Sequence, residues 1–190
     1  MLIGICGKLG VGKDYITTNY IIPLLEQKRE QFLQLAFADQ IKVNVMSKMN
    51  VPYREVYETK TKETRILLQE EGTRIRNEVS PTIWIDYLHN WIEVFRNRGI
   101  AHFIISDVRF KNELEYIKSN GGILIKIVAP QRNHRRLMNE SNGNLETMQQ
   151  ISSHRSECDL DNLPDNSFDI VLNNDPHDQI DLGKIESIFN

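Results

Sequence analysis

The chain begins with a short apolar segment that leads directly into a glycine-rich turn. Residues 1–6 read MLIGIC and residues 7–14 read GKLGVGKD, which fits the phosphate-loop pattern G-x-x-x-x-G-K. The glycines allow the backbone N–H groups of Gly10 to Lys13 to turn toward one point, where they can bind phosphate oxygens. The segment therefore predicts a buried strand, a phosphate-binding turn and a helix, in that order.

The last two positions of the loop carry opposite charges. Lys13 adds a cation, and the helix that opens at Gly12 directs its positive dipole end to the same place. The pattern normally ends in Ser or Thr, whose hydroxyl binds Mg²⁺, but Asp14 stands at that position. The simpler interpretation is a glycine-rich turn whose acidic residue only favours the helix dipole. The amphipathic residues 15–22 that follow favour phosphate binding instead.

Composition and charge exclude several classes of protein. The 190 residues, 40% hydrophobic and 26% charged, fit a single globular domain. A net charge of −3 gives no electrostatic reason to expect a nucleic-acid polymer as partner. Cys6 and Cys158 are too few and too far apart for a disulfide framework or a zinc site. No apolar stretch approaches the roughly 20 residues needed to span a membrane. We therefore expect a cytoplasmic protein without a membrane partner.

Strand-like and helical patterns alternate along the chain. Strands are predicted at residues 1–6, 31–37, 100–105, 123–128 and 168–172. After the helix that follows the loop, helices are predicted at 39–49, 63–79, from Ser80-Pro81 to 95, at 112–118 and at about 177–189. Strands separated by helices require crossover connections. The fold class is therefore α/β, a three-layer P-loop fold with a mainly five-stranded parallel sheet and helices on both faces. The polar residues 131–161 are predicted to form a loop or a partly helical flap.

Charged residues follow the predicted strands, and ligands of such sheets bind where the strands end. Asp39 and Lys42 follow the second strand, and Asp107 and Arg109 lie on the predicted exit loop of the third. Three arginines follow the fourth strand, at positions 132, 135 and 136. Because Arg matches phosphate oxygens bidentately, several of them indicate more than one phosphate group.

Each of these residues also has a purely structural explanation. Asp107 and Arg109 can form an ordinary ion pair, and Lys42 can be a solvated helix residue. Arg65 has acidic neighbours on its helix, as on a solvated face, and Trp84 fits a core position. Their joint placement around one phosphate loop is what favours function.

The motifs, taken in order, resemble the deoxynucleoside monophosphate kinases of bacteriophages and related viruses. The loop with its Asp ending is the specific part, and the ordered set covers nearly the whole chain. The matching segments are FADQIK at 37–42, RILLQEEGT at 65–73, DVRFKNE at 107–113, the GG turn at 121–122, HRSE at 154–157 and DIVLNND at 169–175. They resemble the family patterns A-x-x-[IL]-K, R-x-x-x-Q-x-x-G-T, D-x-R-x-x-x-E, a small-residue turn, H-x-[ST]-E, and a last strand with its exit.

The resemblance implies a single P-loop kinase domain over residues 1–190 that transfers the γ-phosphate of ATP to a deoxynucleoside monophosphate (dNMP). It implies an acceptor-binding helical region at about 38–97 and a lid at about 130–160. The implied ATP-binding residues are Gly7, Gly10, Val11, Gly12, Lys13, Asp14 and Tyr15. The implied dNMP-binding residues are Ile41, Lys42, Arg65, Gln69, Gly72, Trp84, Asp107, Arg109 and Glu113. Catalytic roles fall to Lys13, Arg109 and Arg132.

The same resemblance implies Mg²⁺ as cofactor, held by Asp14 directly or through water. A nucleoside monophosphate needs no side-chain base, because a phosphate monoester with a second pKa of about 6 is largely a dianion at pH 7. Catalysis then consists of positioning and of neutralising charge on the transferred phosphoryl group. If the protein is viral, the expected compartment is the host cytoplasm. The accepted base, the sugar preference and a homodimer stay open.

Two positions depart from the family pattern. Ala129 precedes Pro130 where Arg is common, so Arg132 is the candidate replacement for that lid cation. Arg155 stands in the lid motif where proline is common.

Three alternatives also stay open. A kinase for another small phosphorylated acceptor, such as phosphomevalonate, shares a phosphate loop that ends in Asp. A GTPase-type switch requires a motif such as N-K-x-D, and residues 173–175 read NND without the lysine. A nucleotide-binding module without catalytic activity is the third.

Overall fold

The computed structural model describes residues 1–189, and its central element is a five-stranded sheet. The strands are β1 (Leu2–Cys6), β2 (Phe32–Leu35), β3 (His102–Val108), β4 (Ile123–Val128) and β5 (Ile170–Asn173). Their order in the sheet is β2-β3-β1-β4-β5. The pairs β1–β3, β1–β4 and β4–β5 are parallel. The predicted α/β class with a mainly five-stranded parallel sheet is confirmed.

Eleven α-helices accompany the sheet in residues 1–189. They are α1 (Lys13–Ile16), α2 (Ile22–Gln27), α3 (Asp39–Met49), α4 (Tyr53–Tyr57), α5 (Lys62–Glu78), α6 (Ile83–Arg96), α7 (Lys111–Ser119), α8 (Pro130–Glu140), α9 (Leu145–Ser153), α10 (Arg155–Cys158) and α11 (Leu182–Glu186). A π-helical turn, Thr17–Ile21, joins α1 to α2. Among these described residues, no helix has the length and apolar character that crossing a membrane requires.

Both faces of the sheet are covered, as predicted. Ile3 of β1 belongs to a buried cluster with Leu25 of α2 and Ile185 of α11. The next residue, Gly4, faces the other way because side chains alternate along a strand. A Cβ atom on Gly4 would lie 3.1 Å from Cγ1 of Ile117 in α7. Helix α7 therefore packs closely on the second face.

The chain forms two compact units. The first consists of Met1–Gln34 and the described part of Gly99–Asn190, and the second is Leu35–Arg98. The first unit contains the glycine-rich turn and helices α7 to α11. The second contains α3 to α6, and the predicted acceptor-binding region at about 38–97 falls within it.

Four strands differ from their predicted bounds, β1 and β5 by only one or two residues at an end, whereas residues 39–49 and 123–128 form the predicted helix and strand. The second strand, predicted at 31–37, is limited to Phe32–Leu35. The third continues to Val108, because its pairing with β1 extends to Cys6 beyond a register shift. Placing Asp107 on an exit loop was therefore wrong: it lies inside β3, and Arg109 is the first residue after the strand.

Helix starts were the less accurate part of the prediction. Helix α6 begins at Ile83 rather than at Ser80-Pro81, because the Ser80 hydroxyl accepts the N–H of Thr82 in a preceding turn. The last α-helix, predicted from about residue 177, begins at Leu182, where the Asp181 side chain accepts the N–H of Lys184. Residues 131–161 are mainly helical, in α8, α9 and α10. The short helix α4 was not predicted.

Candidate active site

The glycine-rich turn between β1 and α1 adopts a backbone that only glycine accommodates easily. Gly10 has φ +76° and Gly12 has φ +91°, both in the left-handed region. A Cβ atom on Gly10 would lie 2.5 Å from Cβ of Arg136, and one on Gly12 would lie 2.4 Å from Nδ2 of Asn174. Conformation and space therefore both require glycine at these two positions.

Two asparagines from distant parts of the chain hold this loop. Asn174, which follows β5 and is buried, donates from Nδ2 to the carbonyl of Val11 at 2.8 Å. Asn133 of α8 donates from Nδ2 to the carbonyl of Leu9 at 2.7 Å. These bonds use carbonyl groups, so they fix the loop without consuming its N–H donors.

Helix α8 is anchored beside the loop by the chain that follows β5. The Asp175 carboxylate accepts the N–H groups of Gln131 and Arg132, each at 3.1 Å to Oδ1. It thereby satisfies donors that a helix N-terminus leaves unpaired. The carbonyl oxygen of Arg132 lies 3.5 Å from the position of a Cβ on Gly10. The side-chain Nε of Arg132 is buried and has no hydrogen-bond partner among the described residues.

Lys13 lies in a strongly charged environment. Its ammonium group donates to the carbonyls of Gly7 at 2.7 Å and Lys8 at 3.1 Å. The pKa of Lys13 is lowered from 10.5 to about 8, chiefly by burial and next by the charge of Arg109. Three carboxylates act on this pKa in the opposite direction: Glu157, Asp14 and Asp107. Lys13, Asp14, Asp107 and Arg109 are thus close enough to influence one another electrostatically.

Arg109 is positioned through its backbone and its side chain. Its N–H and that of Phe110 donate to the buried carboxylate of Glu113, at 2.8 and 3.1 Å. Its guanidinium pairs with Glu157, whose other oxygen accepts the N–H of Leu9 at 2.7 Å. Glu113 therefore holds the Arg109 backbone at the end of β3, and Glu157 links its side chain to the loop.

A cavity of about 520 Å³ opens beside the loop. Its lining includes Lys8 and Arg109, together with apolar side chains such as those of Val108, Ile127 and Phe168. This volume lies within the range of small-molecule sites, about 300–1,000 Å³. Cys6 also lines it, and burial raises the pKa of that thiol to about 12, so Cys6 contributes a neutral wall.

In the second unit, Lys42 is held at the start of α3 by two neighbours. Its ammonium group lies 2.8 Å from Oδ1 of Asp39 and 4.5 Å from the centre of the Tyr57 ring. The side chain is only 13% exposed. Burial raises the pKa of Tyr57 to about 12, with the charge of Asp39 adding to the effect. Lys42 is therefore a fixed cation and not a solvated helix residue.

Three other predicted residues of this unit form one packed contact. A Cβ atom on Gly72 of α5 would lie 3.0 Å from Cδ1 of Ile41 in α3. The indole Nε1 of Trp84 in α6 donates to the carbonyl of Gly72 at 3.0 Å. Trp84 is 1% exposed. This burial favours a role in packing or as a wall of a site rather than as an open platform on which a base stacks. Arg65 and Gln69 lie on α5, partly buried and exposed respectively.

The predicted site residues thus divide between the two units. The first unit holds Gly7, Gly10, Val11, Gly12, Lys13, Asp14, Tyr15, Asp107, Arg109, Glu113 and Arg132. The second holds Ile41, Lys42, Arg65, Gln69, Gly72 and Trp84. The contacts described above join residues within each set. Tyr15 is exposed and makes an edge-on contact with the ring of Tyr20.

Four residues that contact or anchor this region were not among the predicted site residues. Asn174 and Asp175 follow the last strand, so the rule that ligands bind where strands end could have identified them. Asn133 and Glu157 lie on helices, where no local pattern distinguishes them, although Glu157 belongs to the HRSE segment.

Asp14 is the candidate ligand for Mg²⁺. It lies exposed in the first turn of α1. Within residues 1–189, no group of three or more His, Cys, Asp or Glu side chains is arranged to hold a metal ion. Mg²⁺ commonly takes one or two carboxylates together with substrate phosphates. A single exposed carboxylate beside a phosphate loop therefore fits a metal that arrives with the nucleotide.

The resemblance inferred from the sequence is confirmed by comparison with curated proteins. The chain is 28% identical over 194 residues to a protein of Acanthamoeba polyphaga mimivirus named "Putative deoxynucleotide monophosphate kinase". The similarity covers 92% of this chain and 88% of the viral protein. No protein-family model matches the chain.

Solved structures give weaker similarities. Dephospho-CoA kinase from Campylobacter jejuni has a TM-score of 0.48 at 14% identity, covering 99% of this chain and 95% of that one. Shikimate kinase from Acinetobacter baumannii, in complex with shikimate, has a TM-score of 0.45 at 15% identity, covering 99% and 90%. These values are too low to carry a conclusion, so the fold class rests on the sheet itself.

The lowered pKa of Lys13 predicts that anion binding weakens at alkaline pH. The ammonium group is present below pH 8 and loses its proton as the pH rises through that value. ATP is already largely in its fully ionised form at pH 7, since a phosphate group of this kind has a second pKa of about 6. Calorimetric titration should therefore show about tenfold weaker ATP binding at pH 9 than at pH 7.

Lys13→Arg is the control, because a guanidinium stays charged throughout this range. Its ATP affinity should change little between pH 7 and pH 9, whatever its absolute value. An equal decline in both proteins would contradict the prediction.

Because the folded-state pKa lies below the ordinary value, the Lys13 contribution to folding stability should rise between about pH 8 and 10.5.

Proposed function

We propose that the protein is a kinase that transfers the γ-phosphate of ATP to a dNMP, giving the diphosphate and ADP. The observation that carries the proposal is the grouping of Lys13, Arg109 and Asp14 about one phosphate loop. The similarity to the mimivirus protein supports a nucleotide kinase. The acceptor class rests on the motif resemblance, in particular on residues 65–73.

The donor is held by the loop. The N–H groups of Gly10 to Lys13 and the Lys13 ammonium bind the β- and γ-phosphates of ATP. Asp14 would hold Mg²⁺, directly or through water, and the metal would neutralise charge on these phosphates. Arg109 and Arg132 neutralise the charge that develops on the transferred group. The apolar walls of the adjoining cavity exclude water that would otherwise hydrolyse ATP.

The proposed acceptor-binding residues are those that the motif resemblance implies. Lys42 and Arg65 hold its phosphate or its sugar edge, while Gln69 provides a polar contact. Arg109 binds the acceptor phosphate, and Asp107 and Glu113 orient Arg109. The packed contact of Ile41, Gly72 and Trp84 supports the acceptor base as a wall. The fixed position of Lys42 beside Asp39 supports this assignment, because a preorganised cation loses little freedom on binding.

The proposed partners are small molecules in the cytoplasm, without a nucleic-acid polymer or a membrane. An acceptor of another class, such as phosphomevalonate, and a module without catalytic activity are the alternatives that experiment must separate.

The first test is a coupled assay with ATP and Mg²⁺ over a panel of deoxy- and ribonucleoside monophosphates and phosphomevalonate. We expect turnover on at least one dNMP. Lys13→Ala should lower it by about 100-fold or more, because it removes a charge from a preorganised site. Lys118→Ala, at an exposed position of α7, should keep normal activity. Turnover on phosphomevalonate alone would reject the dNMP assignment, and ATP binding without any turnover would favour the non-catalytic module.

A second test separates acceptor from donor binding. Lys42→Ala should raise the KM for the dNMP by roughly 10- to 100-fold, the usual effect of losing a hydrogen bond to a charged group. ATP affinity measured without acceptor should change less than about twofold, since the loop binds the donor. Lys62→Ala, an exposed change in the same unit, is the control. Equal weakening of ATP binding would place Lys42 on the donor side.

A third test concerns Asp14. Asp14→Asn keeps the shape of the side chain and removes its charge, so the Mg²⁺ concentration for half-maximal turnover should rise about tenfold. Excess metal should restore part of the loss, and Asp14→Ser should retain more activity than Asp14→Ala. Glu26→Gln, at an exposed position of α2, should leave the Mg²⁺ dependence unchanged. If Asp14→Asn also left the Mg²⁺ dependence unchanged, the carboxylate would only interact favourably with the helix dipole.

A further inference from the structure

Glu157 of α10 occupies donors of the kind that a phosphate oxygen uses. Its Oε2 accepts the N–H of Leu9 in the phosphate loop at 2.7 Å, and its Oε1 pairs with the guanidinium of Arg109. The carboxylate is 9% exposed. A loop N–H group and an arginine together are a typical donor set for phosphate. Glu157 therefore places an anion of this protein where a ligand anion would find its partners.

Two further carboxylates follow at intervals of four residues. Asp161 pairs with Lys8 of the loop at 2.8 Å, and Asp165 pairs with Lys126 of β4 at 2.8 Å. We call residues 157–165 the acidic segment. Of its four carboxylates, Asp159 pairs with Arg155, and the other three, Glu157, Asp161 and Asp165, each neutralise a cation that lines the cavity beside the loop.

A bound polyphosphate and the Glu157 carboxylate exclude one another. Both would use the guanidinium of Arg109, and the N–H of Leu9 directly precedes the Gly10 to Lys13 N–H groups assigned to the donor phosphates. Two anions at such short range repel each other strongly in a partly buried site. The ion pair between Asp165 and Lys126 does not involve the loop, because Lys126 is on β4, and the Asp165 carboxylate is largely exposed. Of these two carboxylates, Glu157 is therefore the one that competes directly for the loop.

We propose that Glu157 is an internal competitor that occupies the loop N–H and Arg109 until the phosphates of a nucleotide displace it. This inference rests on the proposed function for the identity of the ligand, a nucleoside triphosphate. Displacement releases Arg109 to pair with phosphate. Glu157 thereby lowers the affinity of the protein for the donor and keeps the charged site neutralised when no nucleotide is bound.

The test is calorimetric titration of the full chain with ATP and, separately, with inorganic tripolyphosphate, which lacks a base and a sugar. Glu157→Gln keeps the size of the side chain and an oxygen that can accept from Leu9, but removes the competing charge. We expect both ligands to bind roughly tenfold more tightly, within the usual range of coupling between two sites. Asp165→Asn removes an equal charge from the same acidic segment and should bind like the wild type, within about twofold.

Glu157→Asp is the second variant, since its shorter side chain keeps the charge but cannot span both partners. It should bind tripolyphosphate more tightly than the wild type and more weakly than Glu157→Gln. Thermal melting identifies which variants fold, and either folded variant decides the question. Unchanged or weaker binding would overturn the proposal, because Glu157 would then be a structural ion pair or a part of the loaded site.

Equal tightening in Asp165→Asn would also overturn the proposal, because the effect would then come from net charge alone. Failure of the dNMP assignment has a different signature. Tight tripolyphosphate binding by Glu157→Gln, with no turnover of any dNMP by the wild type, would reject the acceptor class and support the internal competitor.

Discussion

The turn between β1 and α1 is the constraint on which the rest of the site depends. Its N–H groups can point at one anion only if no side chain stands in the way, and its neighbours leave no room for one. Arg136 of α8 packs on Gly10, and Asn174 packs on Gly12. The loop is therefore shaped by elements more than 100 residues away in sequence as well as by its own glycines. Glycine is needed there for packing as much as for phosphate approach.

Concentrating cations for phosphate has a cost when no phosphate is bound. Burial already lowers the pKa of Lys13, and the charge of Arg109 lowers it further. Such a site must either lose protons or be neutralised from within the protein. The pairs of Glu157 with Arg109 and of Asp161 with Lys8 show the second solution. Residues 131–161, whose polar composition predicted a loop or a flap, contain both of these carboxylates and form α8 to α10.

The sequence predicted those parts of the fold that local patterns determine. The apolar run at 123–128 has one interpretation, a buried strand, and β4 has those bounds. The predicted helix at 39–49 also agrees with α3. The predicted end of a strand was wrong where pairing with another strand determines it. Strand β3 continues to Val108 because β1 pairs with it there. One predicted helix start was wrong for a similar reason. Ser80-Pro81 resembles the start of a helix, but the Ser80 hydroxyl accepts the N–H of Thr82 in a turn that precedes α6.

The residues of the candidate site divide in the same way, into those that a local sequence pattern identifies and those that only tertiary contacts reveal. Gly7 to Asp14 form one contiguous motif, so the phosphate loop could be identified from the sequence alone. Asn133, Asn174 and Asp175 act on this region through the fold, by hydrogen bonds that span more than 40 positions in each case. No local pattern marks an asparagine on a helix as a loop anchor. The rule about strand ends could have pointed toward Asn174 and Asp175, because it needs only the end of the predicted strand and not the contact itself. The DIVLNND segment of the resemblance also includes both residues.

Asp14 shows why the unusual end of the loop is consistent with phosphate binding. A carboxylate beside a triphosphate would be unfavourable in isolation, because like charges repel. Here it stands in a field set by Lys13 and Arg109, where its charge raises the pKa of Lys13 and so favours the ammonium form. A hydroxyl at that position would give the metal a ligand but would give Lys13 no such support. Under the proposed function, the aspartate therefore has two roles, as a ligand for the metal and as a charge that supports the ammonium form of Lys13.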